Sequence, residues 1–367
     1  MGKDLAETME IRLASHLESD GIKTTLISPG VASSDGLNHI EIKKTDFPGL
    51  KTLSAARNVG NYLKSNDDIV SDADLVLVDW RYVRPLSKQL KKLPTNWAII
   101  DRGPPASSGT RGGRIQRELL RNLQKLYWKG AWRIAANFSS GGFVVSSEHK
   151  KLVNSVTGGG LVLSVLPSGA EPNQLLREKT NPSIHLNLAY IGRIDKKRGL
   201  GDIFSLSEVL GDKGVSHSIV MVGDGDMAKE FSIRSEKDPH FSFLGKLKQN
   251  EIQRVLANQH VGIMPMPDIA VWRISSPIKL AEYAASGLAI IGPSHPGNKL
   301  GVGGEWNLLS EDENWVQSCA GKLVDKIEVG NWSENIVEGA VQASRAYHWD
   351  VIAKRMIGEM EKMVQQS

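Results

Sequence analysis

Residues 275–292, with the sequence SSPIKLAEYAASGLAIIG, combine one helix with one strand and decide the class of fold. Ser275 or Ser276 is typical of a helix N-cap, and Pro277 is typical of a first helical residue. Gly287 is typical of a helix end, and the apolar run after it does not alternate with polar residues. Such runs form parallel strands that are buried on both faces, so the stretch predicts an α/β fold.

The same alternation of helix and apolar strand extends along the chain. The predicted strands form two series, at residues 23–28, 74–79, 97–101, 143–146 and 161–166, and then at 187–192, 218–223, 241–245, 260–265 and 288–292. We therefore predict two doubly wound α/β domains with parallel sheets. The predicted segments are an N-terminal domain at 1–170, a linker at 171–185, a C-terminal domain at 186–348 and a helix at 349–367 that packs back on the N-terminal domain.

The composition restricts the class of protein. Of the 367 residues, 40% are hydrophobic and 23% are charged, which is typical of globular domains. The formal net charge of +4 permits an anionic partner without selecting one. Cys319 is the single cysteine, so no disulfide can form within the chain, and we expect a reducing, cytoplasmic compartment. The scattered histidines predict no metal site.

A cluster of cations follows the first strand of the second series. The strand ends at Gly192, and residues 193–198 contain four cations and one acid. Guanidinium groups bind phosphate oxygens through paired hydrogen bonds, so Arg193 and Arg198 are candidates for an anion site. A solvated basic loop is the alternative that charge alone leaves open.

A glycine-rich turn follows the next strand, with Gly223 and Gly225 on either side of Asp224. Glycine permits a ligand to approach the backbone closely, so both glycines are candidates for ligand binding. A plain tight turn between a strand and a helix is the alternative.

Two charged residues lie in the otherwise apolar helix of the opening stretch. Glu282 is in its middle, and a buried carboxylate needs hydrogen-bond donors, which two ribose hydroxyls would provide. Lys279 lies in the first turn, where a cation opposes the helix dipole unless an anion such as a diphosphate binds there. The alternative for Glu282 is an ion pair with a neighbouring arginine such as Arg273.

Together these stretches resemble the donor domain of retaining GT-B glycosyltransferases, the group 1 or family 4-like enzymes that use nucleotide-diphospho-sugars. The matching features are Gly192 with Arg193 and a cation five positions later, the Gly-Asp-Gly turn, and the helix that carries Glu282. The resemblance implies two Rossmann-like domains that face each other across a cleft. It also implies sugar transfer with retention of configuration, without a metal ion or a further cofactor.

The resemblance implies roles for individual residues as well. Arg193 and Arg198 would stabilise the departing diphosphate, and Asp101, which ends a strand of the first series, would lie near the acceptor. A turn-capping role for Asp101 is equally open. Donor binding would fall to Gly192, Gly223, Gly225, Ser275, Ser276, Lys279 and Glu282. The acceptor would be a glycan, a lipid-linked group or a small molecule in polysaccharide or glycolipid biosynthesis, and no nucleic acid partner is expected.

One position departs from the family pattern. Members commonly carry two glutamates eight positions apart. Glu282 matches the second, whereas Ile274 stands at the first. The departure leaves two alternatives open, a non-catalytic subunit that binds a nucleotide-sugar and a sugar-nucleotide epimerase of the same fold.

Basic residues recur every three or four positions between Arg111 and Arg133, with Tyr127, Trp128 and Trp132 interleaved. This spacing places the cations near one face of a helix. The helix is expected either to contact an anionic membrane or to form a solvated surface.

The start of the chain departs from the order expected of a doubly wound domain, in which a central strand precedes the first helix. Here Leu5, Met9, Leu13 and Leu17 already recur every four residues, which is the spacing of an amphipathic helix. We therefore expect the sequence as written to lack this first strand.

Overall fold

The structure is a computed structural model that describes residues 9–30, 36–47, 50–103, 114–175, 182 and 185–365, with the backbone alone at residues 67 and 114–117. Its strands are β1 (Thr25–Ser28), β2 (Asn38–Glu41), β3 (Leu75–Asp79), β4 (Asn96–Ile100), β5 (Gly141–Val144), β6 (Leu163–Val165), β7 (Leu186–Arg193), β8 (His217–Asp224), β9 (Phe241–Gly245), β10 (Val261–Ile263) and β11 (Ala289–Ile291).

The described helices alternate with these strands along the chain. They are α1 (Met9–Ser19), α2 (Lys51–Ser65), α3 (Asp67–Ser71), α4 (Trp80–Val83), α5 (Ser87–Leu90), α6 (Arg114–Phe138), α7 (Ser147–Thr157), α8 (Asp202–Asp212), α9 (Ala228–Lys237), α10 (Gln249–Ala257), α11 (Ala270–Arg273), α12 (Ile278–Ala285), α13 (Trp315–Val329), α14 (Gly339–Ser344) and α15 (Trp349–Gln365). The chain divides into a first unit, Met1–Pro167 with Trp349–Ser367, and a second unit, Ser168–His348.

The second unit is built on one five-stranded parallel sheet with the strand order β11-β10-β7-β8-β9. Its middle strand, β7, has five buried residues among eight and is exposed only at Arg193, as expected of an apolar run covered on both faces. Because all strands are parallel, their carboxyl ends share one edge of the sheet. The predicted cation cluster follows β7 and the glycine-rich turn follows β8, so the two are neighbours at that edge.

Tyr283 anchors helix α12 to this sheet. Its buried ring lies against Gly262 of β10, where a Cβ atom would overlap the ring. Its hydroxyl accepts a hydrogen bond of 2.8 Å from the Ile191 N–H in β7. The apolar face of α12 therefore fixes the helix against the strands, and this contact determines where Lys279 and Glu282 lie.

The first unit contains two separate parallel sheets, β3-β4-β5-β6 and β1-β2. Among the described residues no strand joins β1 to β3, and every residue of β1 is only half-buried. The expectation that a first strand is lacking concerns residues before Leu5. Residues 1–8 lie outside the described part of the chain, so this expectation stays a prediction.

Helix α15 completes the core of the first unit. Trp349, Ile352 and Met356 are buried and belong to the same cluster as Leu13 and Leu17 of α1. The apolar spacing of this last segment thus forms the face that packs on α1. No described helix has the length and apolar character needed to cross a membrane.

Each of the ten predicted strands overlaps an observed one. The sequence did not predict β2, because it is a short and mostly polar segment. Helix α12 begins at Ile278, and its N-cap is Pro277 without a side-chain hydrogen bond. The predicted serine N-cap is therefore wrong, and Pro277 lies just outside the helix. Gly287 has a φ of +66°, the left-handed conformation that ends a helix, as predicted.

Candidate functional site

Glycines allow the turns after β7 and β8 to lie against each other. Gly192 and Gly223 are paired in register, and Gly223 has a φ of +142°. A Cβ atom on Gly223 would overlap the Gly192 carbonyl oxygen, and one on Gly225 would overlap the Ile194 carbonyl oxygen. The close packing of the two turns therefore explains why glycine is needed at positions 223 and 225. This agrees with the alternative in which they form a plain tight turn and do not bind a ligand.

Lys279 is the most unusual group at this edge of the sheet. Its side chain is buried, and its Nζ has no hydrogen-bond partner among the described residues. The Nζ lies 4.0 Å from the centroid of the Tyr190 ring and 3.5 Å from the point where a Cβ on Gly192 would stand. Burial lowers the pKa of Lys279 well below its ordinary value, and the Arg198 charge lowers it further, whereas Glu282 raises it.

Arg198 is a second cation close to the Lys279 amine. Its guanidinium lies 4.8 Å from the centroid of the Trp272 ring, and its Nε lies 4.0 Å from the Asp195 carboxylate. It also acts on the Tyr190 hydroxyl, where burial raises the pKa of Tyr190 and Arg198 opposes the rise. Arg198 and Lys279 therefore both act on Tyr190 and on each other, and we call them the cation pair.

Arg193 is held differently. Its guanidinium donates to both oxygens of Asp195, at 3.2 and 3.0 Å, and its side chain is 60% exposed. Both predicted arginines therefore contact Asp195. Only Arg198 is also close to the buried Lys279.

Glu282 lies one turn after Lys279 in α12 and is half-buried. Its Oε1 accepts a hydrogen bond of 2.7 Å from the Gln249 side chain. Arg273, the alternative partner considered for Glu282, instead pairs with both oxygens of Asp268, at 2.8 and 2.7 Å. Sequence patterns did not single out Gln249, because only the fold brings α10 next to α12.

Ser275 and Ser276 connect the segment before α12 to its surroundings. The Ser275 hydroxyl donates to the Trp272 carbonyl oxygen at 2.7 Å. The Ser276 hydroxyl accepts a hydrogen bond of 2.9 Å from the Ser168 N–H. The Ser276 backbone carbonyl oxygen accepts a second hydrogen bond from the Ser168 hydroxyl. The two serines thus fix the approach to the helix instead of capping it.

Asp101 lies in the first unit and is completely buried. Its carboxylate accepts hydrogen bonds from the indole N–H groups of Trp128 and Trp132, at 2.6 and 2.9 Å, and from the Gly103 N–H at 2.8 Å. The Nε2 of His149 lies 3.4 Å away. Burial raises the pKa of Asp101, but His149 and these donors outweigh burial and hold it below its ordinary value.

This geometry favours the turn-capping alternative for Asp101 over a position near the acceptor, because the carboxylate does not reach solvent. It also corrects the expected surface role of the aromatic residues between Arg111 and Arg133. Trp128 and Trp132 are buried against Asp101 and do not face outward. The spacing of the two tryptophans, four positions apart, was the signal that they share the inner face of one helix.

The described residues include no group of three or more His, Cys, Asp or Glu side chains arranged to hold a metal ion. The prediction of metal independence stays a prediction, because this finding does not test it.

Residues 185–328 match the family of glycosyl transferases group 1. No curated protein matches the chain. Among solved structures, sucrose-phosphate synthase from Thermosynechococcus elongatus has a TM-score of 0.77 at 13% identity, and the match covers 100% of this chain and 96% of that one. HepE from Anabaena in complex with UDP has a TM-score of 0.67 at 15% identity over 99% and 98% of the two chains.

The lipopolysaccharide outer core galactosyltransferase WaaB in its apo form has a TM-score of 0.66 at 12% identity, with 98% and 97% of the chains covered. The chain therefore has the α/β GT-B fold of two Rossmann-like domains, as predicted. Together with the match of its second unit to the group 1 family, this fold supports a glycosyltransferase enzyme.

Proposed function

We propose that the protein transfers a sugar from a nucleotide-diphospho-sugar to an acceptor, and that the donor's diphosphate binds between Arg198 and Lys279. The observation that carries this proposal is the buried Lys279 amine, which has no hydrogen-bond partner among the described residues. A buried cation is unfavourable unless an anion compensates it. Here the Arg198 charge acts on Lys279 more strongly than the opposing Glu282 carboxylate does, so the two cations are only partly compensated.

In the proposed mechanism, the two cations act on the leaving group. Negative charge develops on the diphosphate as the bond to the sugar breaks, and preorganised cations stabilise that charge without reorganisation. Glu282 accepts hydrogen bonds from the ribose hydroxyls, while Gln249 orients its carboxylate. Arg193, which Asp195 holds closer to solvent, supplies a more distant positive charge.

The remaining parts of the proposal follow the family resemblance. They are retention of configuration, a glycan or lipid-linked acceptor, a role in polysaccharide or glycolipid biosynthesis, and a cytoplasmic location. Metal independence has a physical argument as well, since two cations can neutralise a diphosphate in place of Mg²⁺. The UDP bound to HepE makes uridine nucleotides the first candidates for the donor.

A second candidate function is a non-catalytic subunit that binds a nucleotide-sugar. Ile274 favours it, because the resembled enzymes commonly have a glutamate at that position. A third, an epimerase, would convert the free donor sugar without an acceptor.

One experiment separates these functions. Purified protein is incubated in EDTA with UDP-, GDP- and ADP-sugars and a mixture of candidate acceptors, and nucleoside diphosphate and sugars are quantified by chromatography. A glycosyltransferase releases the nucleoside diphosphate, an epimerase changes only the donor sugar, and a non-catalytic subunit does neither. Loss of release in EDTA with recovery in Mg²⁺ would contradict the metal-independent mechanism.

The matched variants are Arg198→Met and Lys213→Met. Lys213 is an exposed cation at the end of α8, so its loss controls for a change in net charge. We expect Arg198→Met to lower the rate of release by about 10²-fold or more, as for other groups that stabilise a leaving group. Lys213→Met should leave the rate unchanged.

A further inference from the structure

Helix α6 is divided into a packed half and an outward half. Trp128, Ala131, Trp132 and Ala135 are buried and form its inner face. In contrast, every residue from 118 to 126 is exposed except Arg121, which is half-buried. This second stretch, which we call the outward half of α6, therefore has little cover from the described part of the first unit.

The outward half of α6 carries an apolar stripe. Leu119, Leu123 and Leu126 are 59%, 52% and 63% exposed. With about 100° per residue, these three side chains lie on the side of the helix opposite the buried Trp128. Leu120, 43% exposed, lies beside them. Clustered exposed leucines on a soluble unit indicate a surface that binds a partner or a membrane.

Cations border this stripe. Lys125, Lys129 and Arg133 are exposed, and their four-residue spacing places them along one flank of the leucines. The exposed Arg84 adds a cation 4.9 Å from the centroid of the Tyr127 ring. Residues 118–133 contain four cations and a single acid, Glu118.

We propose that the outward half of α6 docks on the surface of an anionic membrane, with the leucines at the acyl boundary and the cations at the lipid headgroups. An apolar stripe flanked by cations is the pattern of helices that lie in a membrane interface. A second copy of the chain would bring two cationic flanks together, and like charges repel. The charge pattern thus favours lipid over self-association.

The tryptophans of α6 take no part in this docking, because they are buried against Asp101. Docking depends on the leucines for insertion and on the cations for attraction. Each cation near an anionic surface contributes about fivefold to partitioning. The proposal is independent of the donor site, because it rests only on residues of the first unit.

The test is co-sedimentation of the full chain with vesicles of phosphatidylcholine, alone or mixed with phosphatidylglycerol. We expect binding to the mixed vesicles, loss of that binding in 0.5 M salt, and little binding to the neutral vesicles. The triple variant Leu119→Ser, Leu123→Ser, Leu126→Ser should bind at least tenfold more weakly. A matched control replaces three exposed apolar residues of the second unit, Ile233→Ser, Leu244→Ser and Val329→Ser, and should bind as the wild type does.

Three results would overturn the proposal. The first is equal binding to neutral and anionic vesicles. The second is unchanged binding of the leucine variant, whose fold is checked by its thermal unfolding. The third is a dimer of the wild type that the leucine variant abolishes, without vesicle binding, since a second copy would then cover the stripe. The nucleotide affinity of the leucine variant is measured separately. Unchanged nucleotide affinity would show that a loss of vesicle binding does not arise from damage to the proposed donor site.

Discussion

At the scale of single residues, Lys279 is a buried cation whose position is expected to lower the stability of the folded protein. Its amine is buried with no hydrogen-bond partner among the described residues, and Arg198 adds a like charge nearby. An unsatisfied buried polar group costs about 1–3 kcal/mol. The arrangement becomes favourable when an anion binds, which fits a ligand site better than a structural one.

Replacing Lys279 with Met should therefore stabilise the folded protein by about 1–3 kcal/mol at pH 7 while it weakens nucleotide binding. The folded pKa of Lys279 lies below its unfolded value, so the unfolded chain binds more protons between the two values. The free energy of unfolding of the wild type then rises with pH in that window. Urea unfolding at pH 7 and pH 9.5 should show the advantage of Lys279→Met shrinking at the higher pH. A variant less stable than the wild type at pH 7 would show that Lys279 is structural.

The opposite behaviour is expected of Asp101. Replacing it with Ala leaves two indole N–H groups buried without their acceptor, and we expect a loss of about 3–5 kcal/mol in the free energy of unfolding. Because the folded pKa is lowered, the contribution of Asp101 is present above the ordinary aspartate pKa and is lost as the pH falls through the folded value. Urea unfolding measures the loss. A stable Asp101→Ala variant without turnover would instead support the acceptor-side role.

At this scale the sequence singled out residues that the fold brings together in the second unit, and it predicted less of the first unit. Gly192, Arg198, Lys279 and Glu282 were singled out, and all four lie at one edge of the second sheet. Gly192 and Arg198 were predictable because they lie at the carboxyl end of β7, and Lys279 and Glu282 because they are charged residues of an otherwise apolar helix. The partners of Asp101 were not predictable from the sequence. Trp128 and Trp132 lie far from Asp101 along the chain, and their indole N–H groups reach its carboxylate only in the folded unit.

At the scale of elements, apolar runs and turn residues located ten strands, whereas a helix boundary and one polar strand were missed. Strand β2 has the sequence Asn-His-Ile-Glu, which carries no apolar pattern. The pairing of β1 with β2 in a sheet of their own was also unpredictable from periodicity, because hydrogen-bond pairing is a long-range property. Two strands alone are marginal in water.

We therefore expect the β1-β2 sheet to open locally more often than the sheet that contains β4 and β5. Strand β1 is half-buried along its length, whereas β5 is fully buried. Local openings of weakly packed elements need less free energy than those of a core. Native-state hydrogen exchange should show amide exchange in β1 and β2 at least about tenfold faster than in β4 and β5. Equal protection in both sheets would contradict this expectation.

At the scale of the whole molecule, the similarity to solved structures and the match to a sequence family both indicate a glycosyltransferase fold. The chain aligns along almost its full length with glycosyltransferases of the GT-B fold, although sequence identity is only 12% to 15% in the comparisons above. The match to the group 1 family covers residues 185–328, which include the cation pair, the glycine-rich turn and Glu282. The proposed donor site therefore lies within the part of the chain that matches the family, whereas the proposed membrane-docking helix lies outside it.

The central claim, a nucleoside diphosphate site at the carboxyl edge of the second sheet, is tested most directly by calorimetric titration of UDP, GDP and ADP. We expect one of them to bind the wild type in EDTA and to bind Glu282→Ala with about 2 kcal/mol less affinity, as for a lost hydrogen bond to a charged group. Arg198→Met should weaken binding as well, and Lys213→Met should not. Absence of binding by all three nucleotides, or equal affinity in wild type, Glu282→Ala and Arg198→Met, would contradict the claim.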